Sequence, residues 1–72
     1  MPTIYAMYAG DHLPPHFHIL TRDGHEAQVE IATLTLMAGA VTPRILRAAL
    51  DWAGEHRPLL AAEWDRLNRP AH

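Results

Sequence analysis

The chain has no cysteine and no lysine, and all of its basic charge is carried by arginine. Without cysteine it can form neither a disulfide nor a thiolate zinc site. In a chain of 72 residues a single core supplies only about 3–5 kcal/mol. Stability must then come from dense packing, a partner surface or self-association. There is no positive excess either. The formal net charge is −2, which argues against a dedicated nucleic-acid binder and leaves only a local patch around Arg44, Arg47, Arg57 and Arg66. No apolar run is long enough for a membrane span, and Met1 is followed by no basic n-region, so the expectation is a cytoplasmic protein without membrane contact. With no repeat, low-complexity tract or linker, one domain over residues 1–72 is expected.

What the chain does have is histidine: six in all, three of them inside Asp11-His12-Leu13-Pro14-Pro15-His16-Phe17-His18. Histidine is both the side chain that titrates near neutrality and the commonest metal ligand. The two tryptophans, both in the last third, are large apolar groups for so small a protein and lean toward association, including as a homodimer.

The hydrophobic pattern divides the chain into strands and then helices. Ile4, Tyr5, Met7 and Tyr8 make a first strand that stops at Gly10-Asp11. Pro14-Pro15 cannot continue a ladder and impose a connection with few conformations. From His16 to Arg22 the chain alternates strictly, with Phe17 and Ile19 on one face and His16 and His18 on the other. Ala27, Val29 and Ile31 alternate with Glu26, Gln28 and Glu30 in a third strand. Leu34 to Met37, ending at Gly39, is a candidate fourth.

The register of the central hairpin follows from the same alternation. A two-residue Asp23-Gly24 turn would put Phe17 on the same face as Glu30. A three-residue loop, Arg22-Asp23-Gly24 with Gly24 left-handed, instead places Phe17 opposite Val29 and Ile19 opposite Ala27. His16 then faces Glu30 and His18 faces Gln28. Because a one-residue slip turns every side chain over, the apolar pattern selects the second register.

The rest reads as helix. Thr42-Pro43 is an N-cap followed by proline at the first helical position. Ile45, Leu46, Ala49, Leu50, Trp52 and Ala53 follow at helical spacing, with Gly54 as the expected stop. Arg57-Pro58 opens a second helix carrying Leu59, Leu60, Trp64 and Leu67, ended by Asn68 and Pro70. The expected architecture is α+β: an N-terminal antiparallel sheet of three to four strands, then two C-terminal helices packed on one face.

These motifs carry a family resemblance. The run Met7-Tyr8-x-x-Asp11-His12-x-Pro14-Pro15-His16-Phe17-His18 resembles the signature of the small bacterial family catalogued as domain of unknown function 4160. Pro2-Thr3-Ile4, Gly39-x-x-x-Pro43-Arg44 and Trp52-Ala53…His56…Leu60…Trp64 are similar to the same family, in the same order. Family members usually carry extra residues, with a glycine, between the opening and the Met-Tyr pair; their absence here implies a shortened first strand or hairpin. The resemblance implies a small bacterial or phage-borne protein encoded beside another small protein, an arrangement like that of toxin–antitoxin pairs. It implies no reaction.

Three readings of the histidines stay open. In one, Asp11, His12, His16 and His18 hold a divalent transition metal, zinc or nickel, with His16 and His18 projecting from one strand face. In another, a histidine acts as general base or acid oriented by Glu30 or Asp11, as a ribonuclease-type toxin centred on His12, His16, His18 and Glu30 requires, with Arg44 and Arg47 near a helix start as phosphate contacts. In the third they are structural: Asp11 caps a turn and His12 bonds backbone carbonyls. His25 and His72 are then solvated, and His56 sits near a helix C-terminus. The leading expectation is a small interaction module of a toxin–antitoxin-like pair, binding another small protein through Tyr5, Tyr8, Trp52 and Trp64.

Overall fold

The computed structural model describes residues 3–69; Pro2, Pro70 and His72 lie outside the described residues. Four strands, β1 (Ile4–Ala6), β2 (His16–Leu20), β3 (Glu26–Glu30) and β4 (Leu36–Gly39), precede two helices, α1 (Pro43–Glu55) and α2 (Arg57–Asn68). The sheet is antiparallel in the order β1-β2-β3-β4. This is the α+β architecture that the pattern calls for.

The β2–β3 hairpin adopts the register selected by apolar alternation. His16 faces Glu30, Phe17 faces Val29, His18 faces Gln28 and Ile19 faces Ala27. Thr21 N–H donates to His25 C=O at 3.0 Å across the loop, and Gly24 has a φ of +89°, a region that costs other residues a steric penalty at Cβ. Phe17, Ile19, Ala27, Val29 and Ile31 therefore make one apolar face. Ala49, Ala53, Leu60 and Trp64 from the helices close it into a core. Burying each of the larger side chains contributes about 1.5–3 kcal/mol. Beside them Trp52 packs on Tyr5 with ring centres 4.6 Å apart and on the edge of Phe17 at 6.1 Å.

The fourth strand begins two residues later than its apolar segment. Leu34 sits at a φ of +57° in the connection, where its N–H bonds Glu30 C=O at 2.9 Å. It is thus spent on the turn; pairing with β3 begins at Leu36, opposite Val29, and shifts register between Val29 and Gln28 before Ala38. Gly39 closes the strand with φ +75°, and a Cβ there would lie 2.1 Å from the backbone oxygen of Glu26.

The first helix starts where expected: Thr42 Oγ1 accepts the Ile45 N–H at 3.3 Å and Pro43 opens the first turn. It does not stop at Gly54. The helix runs to Glu55, and His56 ends it, its N–H bonded to Ala53 C=O at 3.1 Å and its Nδ1 to Trp52 C=O at 2.8 Å. The terminator is Pro58. Were the helix to continue, the Pro58 ring would meet the Gly54 carbonyl and leave it without a donor. Gly54 lies inside the helix beside Leu34, whose Cδ1 would be in ordinary contact, 3.7 Å, with a Cβ at that position. The second helix ends at Asn68.

Candidate functional site

His16 and His18 stand on the sheet face opposite Phe17 and Ile19, because successive strand residues alternate. That face is not open to water here. His16 is 0% exposed and His18 6%. The connection from β1 to β2 folds back over it: Tyr8 lies edge-on to His18 at 4.7 Å, and His12 stacks on His16 at 4.6 Å. Trp64 of α2 closes the remaining side, with its ring centre 5.2 Å from that of His16. The loop is tied down by Asn68, whose Oδ1 accepts the Gly10 N–H at 2.7 Å.

This folding back delivers Asp11. Its Oδ2 is 2.8 Å from His18 Nε2 and 3.1 Å from His16 Nε2, while its Oδ1 accepts the His12 N–H at 2.9 Å. The other ring nitrogens are held from behind. His16 Nδ1 is 2.7 Å from Pro14 C=O, and His18 Nδ1 is 2.6 Å from Glu26 Oε2. A carbonyl and a carboxylate can only accept, so both Nδ1 atoms carry hydrogen.

The two imidazoles then differ. His18 donates on both sides, to Glu26 and to Asp11. Its burial alone would depress its pKa, but the hydrogen bonds and negative charges of Asp11 and Glu26 outweigh that and raise it. The same contact with His18, aided by the His12 N–H and opposed by burial, holds the Asp11 carboxyl below its ordinary value. His16 has no such resolution. Its Nε2 is buried and makes no hydrogen bond, although Asp11 Oδ2 lies only 3.1 Å away in poor alignment.

The carboxylate that orients His18 is Glu26, and not Glu30. Glu30 sits opposite His16 in the ladder, yet its carboxylate bonds neither histidine among the described residues. Diagonal neighbours across antiparallel strands lie within reach of long side chains, and Glu26 shares the face of Gln28. That diagonal was the available signal for Glu26. His12 does not join the cluster; its ring is 60% exposed, 3.8 Å from Asp11 Oδ1, with Nδ1 3.3 Å from Leu13 C=O. Arg44 and Arg47 are exposed in the first turns of α1. That helix start lies beside the hairpin loop, where Thr21, Asp23, His25, Thr42 and Ile45 line one hollow. His16 begins β2 at its opposite end, so these arginines are not brought to the histidines.

The four aromatic residues expected at an interface take different places. Trp64 is buried in the core and Tyr8 is exposed over His18. Tyr5 and Trp52 line a mainly apolar trough of about 230 Å³ beside β1, together with Met7, Phe17, Leu60 and Leu67 and with Glu63 as its charged member. Burial there raises the Tyr5 pKa.

No helix among the described residues is long and apolar enough to cross a membrane. A family model described as Domain of unknown function (DUF4160) matches residues 3–65. No curated protein and no solved structure matches the chain.

Proposed function

The chain belongs to the DUF4160 family, and because that description names no activity, we propose that it works as a small protein-interaction module, one component of a toxin–antitoxin-like pair. The observation that carries this reading is the trough beside β1. It runs along a strand of three residues that pairs only with β2 among the described residues. An edge strand offers backbone groups to an added strand, and a neighbouring apolar pocket can receive one of its side chains. The occupant is an extended segment of the partner, supplied by the small protein encoded alongside. Ile4, 56% exposed on the same strand, adds apolar surface at that edge.

Co-expression with the product of the adjacent gene tests this, read by size-exclusion chromatography and calorimetry. A stable complex is expected, weakened at least about tenfold by Trp52→Ala, since interface energy concentrates in a few aromatic anchors. Ala6→Pro, which alters the edge strand without touching the trough's helical wall, is expected to weaken it as well. Absence of a complex, or a complex indifferent to both changes, would remove the β1 edge as a docking site.

A further inference from the structure

We propose that Asp11 Oδ2, His16 Nε2 and His18 Nε2 bind one divalent transition-metal ion of the zinc class, with solvent completing its coordination. Three independent features of the site lead there.

The first is convergence. The three atoms lie within 4.8 Å of one another. Around a tetrahedral zinc, with ligands at about 2.0–2.1 Å, neighbouring donors sit about 3.3 Å apart. The two separations from Asp11 Oδ2, 2.8 Å and 3.1 Å, need open by only a few tenths of an ångström. Both histidines come from one strand inside a four-stranded sheet, so the scaffold is rigid where a site must be rigid.

The second is orientation. Ligating histidines nearly always donate their other N–H to a carbonyl or carboxylate, which fixes the tautomer and aims the free nitrogen. Here Pro14 C=O does this for His16 and Glu26 for His18. The two rings are thus locked from behind with both Nε2 atoms facing the same point.

The third is an unmet need. His16 Nε2 is buried and makes no hydrogen bond, yet it lies 3.1 Å from Asp11 Oδ2. A cation in that place satisfies both. Binding replaces the hydrogen on His18 Nε2, which leaves to solvent as a proton, while Asp11 and Glu26 keep their charges.

The donor set chooses the class of ion. Two imidazole nitrogens and one carboxylate oxygen suit zinc, nickel, cobalt or ferrous iron, whereas magnesium and calcium prefer oxygen alone. Three protein ligands leave an exchangeable position, as in metal sites that bind water or a small anion.

The test is titration of the tag-free, chelator-treated full chain with zinc by calorimetry, and with cobalt by visible absorption. One ion per chain is expected, with cobalt bands of low-symmetry coordination. Asp11→Asn, a near-isosteric change at the site's rim, and His18→Gln are expected to abolish both signals while amide NMR spectra report a retained fold. Glu26→Gln, acting through His18, is expected to weaken zinc about 10–100-fold. His12→Ala is expected to change affinity less than about twofold, in line with its place outside the cluster. Failure of the wild-type chain to take up zinc, cobalt or nickel overturns the proposal. So does undiminished binding by Asp11→Asn and His18→Gln, or its loss in His12→Ala.

Discussion

Asp11 and His18, seven residues apart in the chain, are joined Oδ2 to Nε2 at 2.8 Å on the sheet face where His16 and His18 are buried. The contact closes the β1–β2 connection over β2, and it leaves Oδ1 free to accept the His12 N–H. Removing the carboxylate strips a buried donor of its partner and a loop of its anchor at once.

In metal-free protein, Asp11→Ala is therefore expected to cost about 1–3 kcal/mol, the desolvation penalty of a buried polar group left unpaired. Urea denaturation in the presence of a chelator measures it. A loss below about 0.5 kcal/mol would mean that the loop is held by the Gly10–Asn68 bond instead.

Trp64 is the roof of His16 and also a member of the core. Trp64→Ala removes a side chain whose deletion ordinarily costs about 3–5 kcal/mol, which is about all the stability a domain of this size has. The variant is expected to be largely unfolded by circular dichroism at room temperature, while Trp64→Phe keeps a cooperative melt at a lower midpoint. A cooperative Trp64→Ala melt near that of the wild type would contradict the packing.

Two glycines separate conformational from steric need. Gly24 has φ +89° and nothing within 4 Å of a hypothetical Cβ, whereas at Gly39 that atom would be 2.1 Å from the Glu26 backbone oxygen. Gly24→Ala is expected to cost about 1–2 kcal/mol, the left-handed penalty alone. Gly39→Ala should cost clearly more, because β4 must move off β3. Equal losses in thermal denaturation would refute the distinction.

At the hairpin loop, hydrogen bonds from Thr21 and His25, the latter at 3.1 Å, lower the Asp23 carboxyl from its ordinary 3.8 to about 2. A depressed acid stabilises the fold above its unfolded pKa and ceases to as pH falls through its folded value. The contribution is thus present above about pH 4 and gone below about pH 2. Carboxyl NMR titration is expected to place Asp23 well below the ordinary 3.8, with a shift that shrinks in high salt. An Asp23 midpoint near 3.8 would show that the loop network does not persist in solution.

Much of this was legible in advance, and for local reasons. Alternation of Phe17 and Ile19 with His16 and His18, set against Ala27 and Val29, selects the three-residue hairpin loop over the two-residue one, since a one-residue slip sets Phe17 on the face of Glu30. Thr42-Pro43 states its helix start through one hydroxyl and one missing N–H. The stop after α1 was less legible because Gly54 and Pro58 compete as terminators, and proline wins by steric exclusion.

The composition of the site was only partly legible. His16, His18 and Asp11 were identifiable as chemistry-bearing residues from their spacing and type. Their convergence was not, because it depends on how the chain from Met7 to Pro15 folds back and on Trp64 arriving from α2. Glu30 was the natural carboxylate from the ladder alone; the diagonal that places Glu26 on His18 depends on side-chain reach across a twisted sheet.

The sequence by itself determined what short-range physics controls: the order of strands and helices, the hairpin register, the helix caps and the pair of histidines sharing one face. Tertiary structure alone decided that this face is buried, that Asp11 reaches both imidazoles while His12 stays outside, and that Glu26 stands behind His18. Those outcomes rest on contacts between residues far apart in the chain, whose geometry emerges only when the loop and the last helix pack against the sheet.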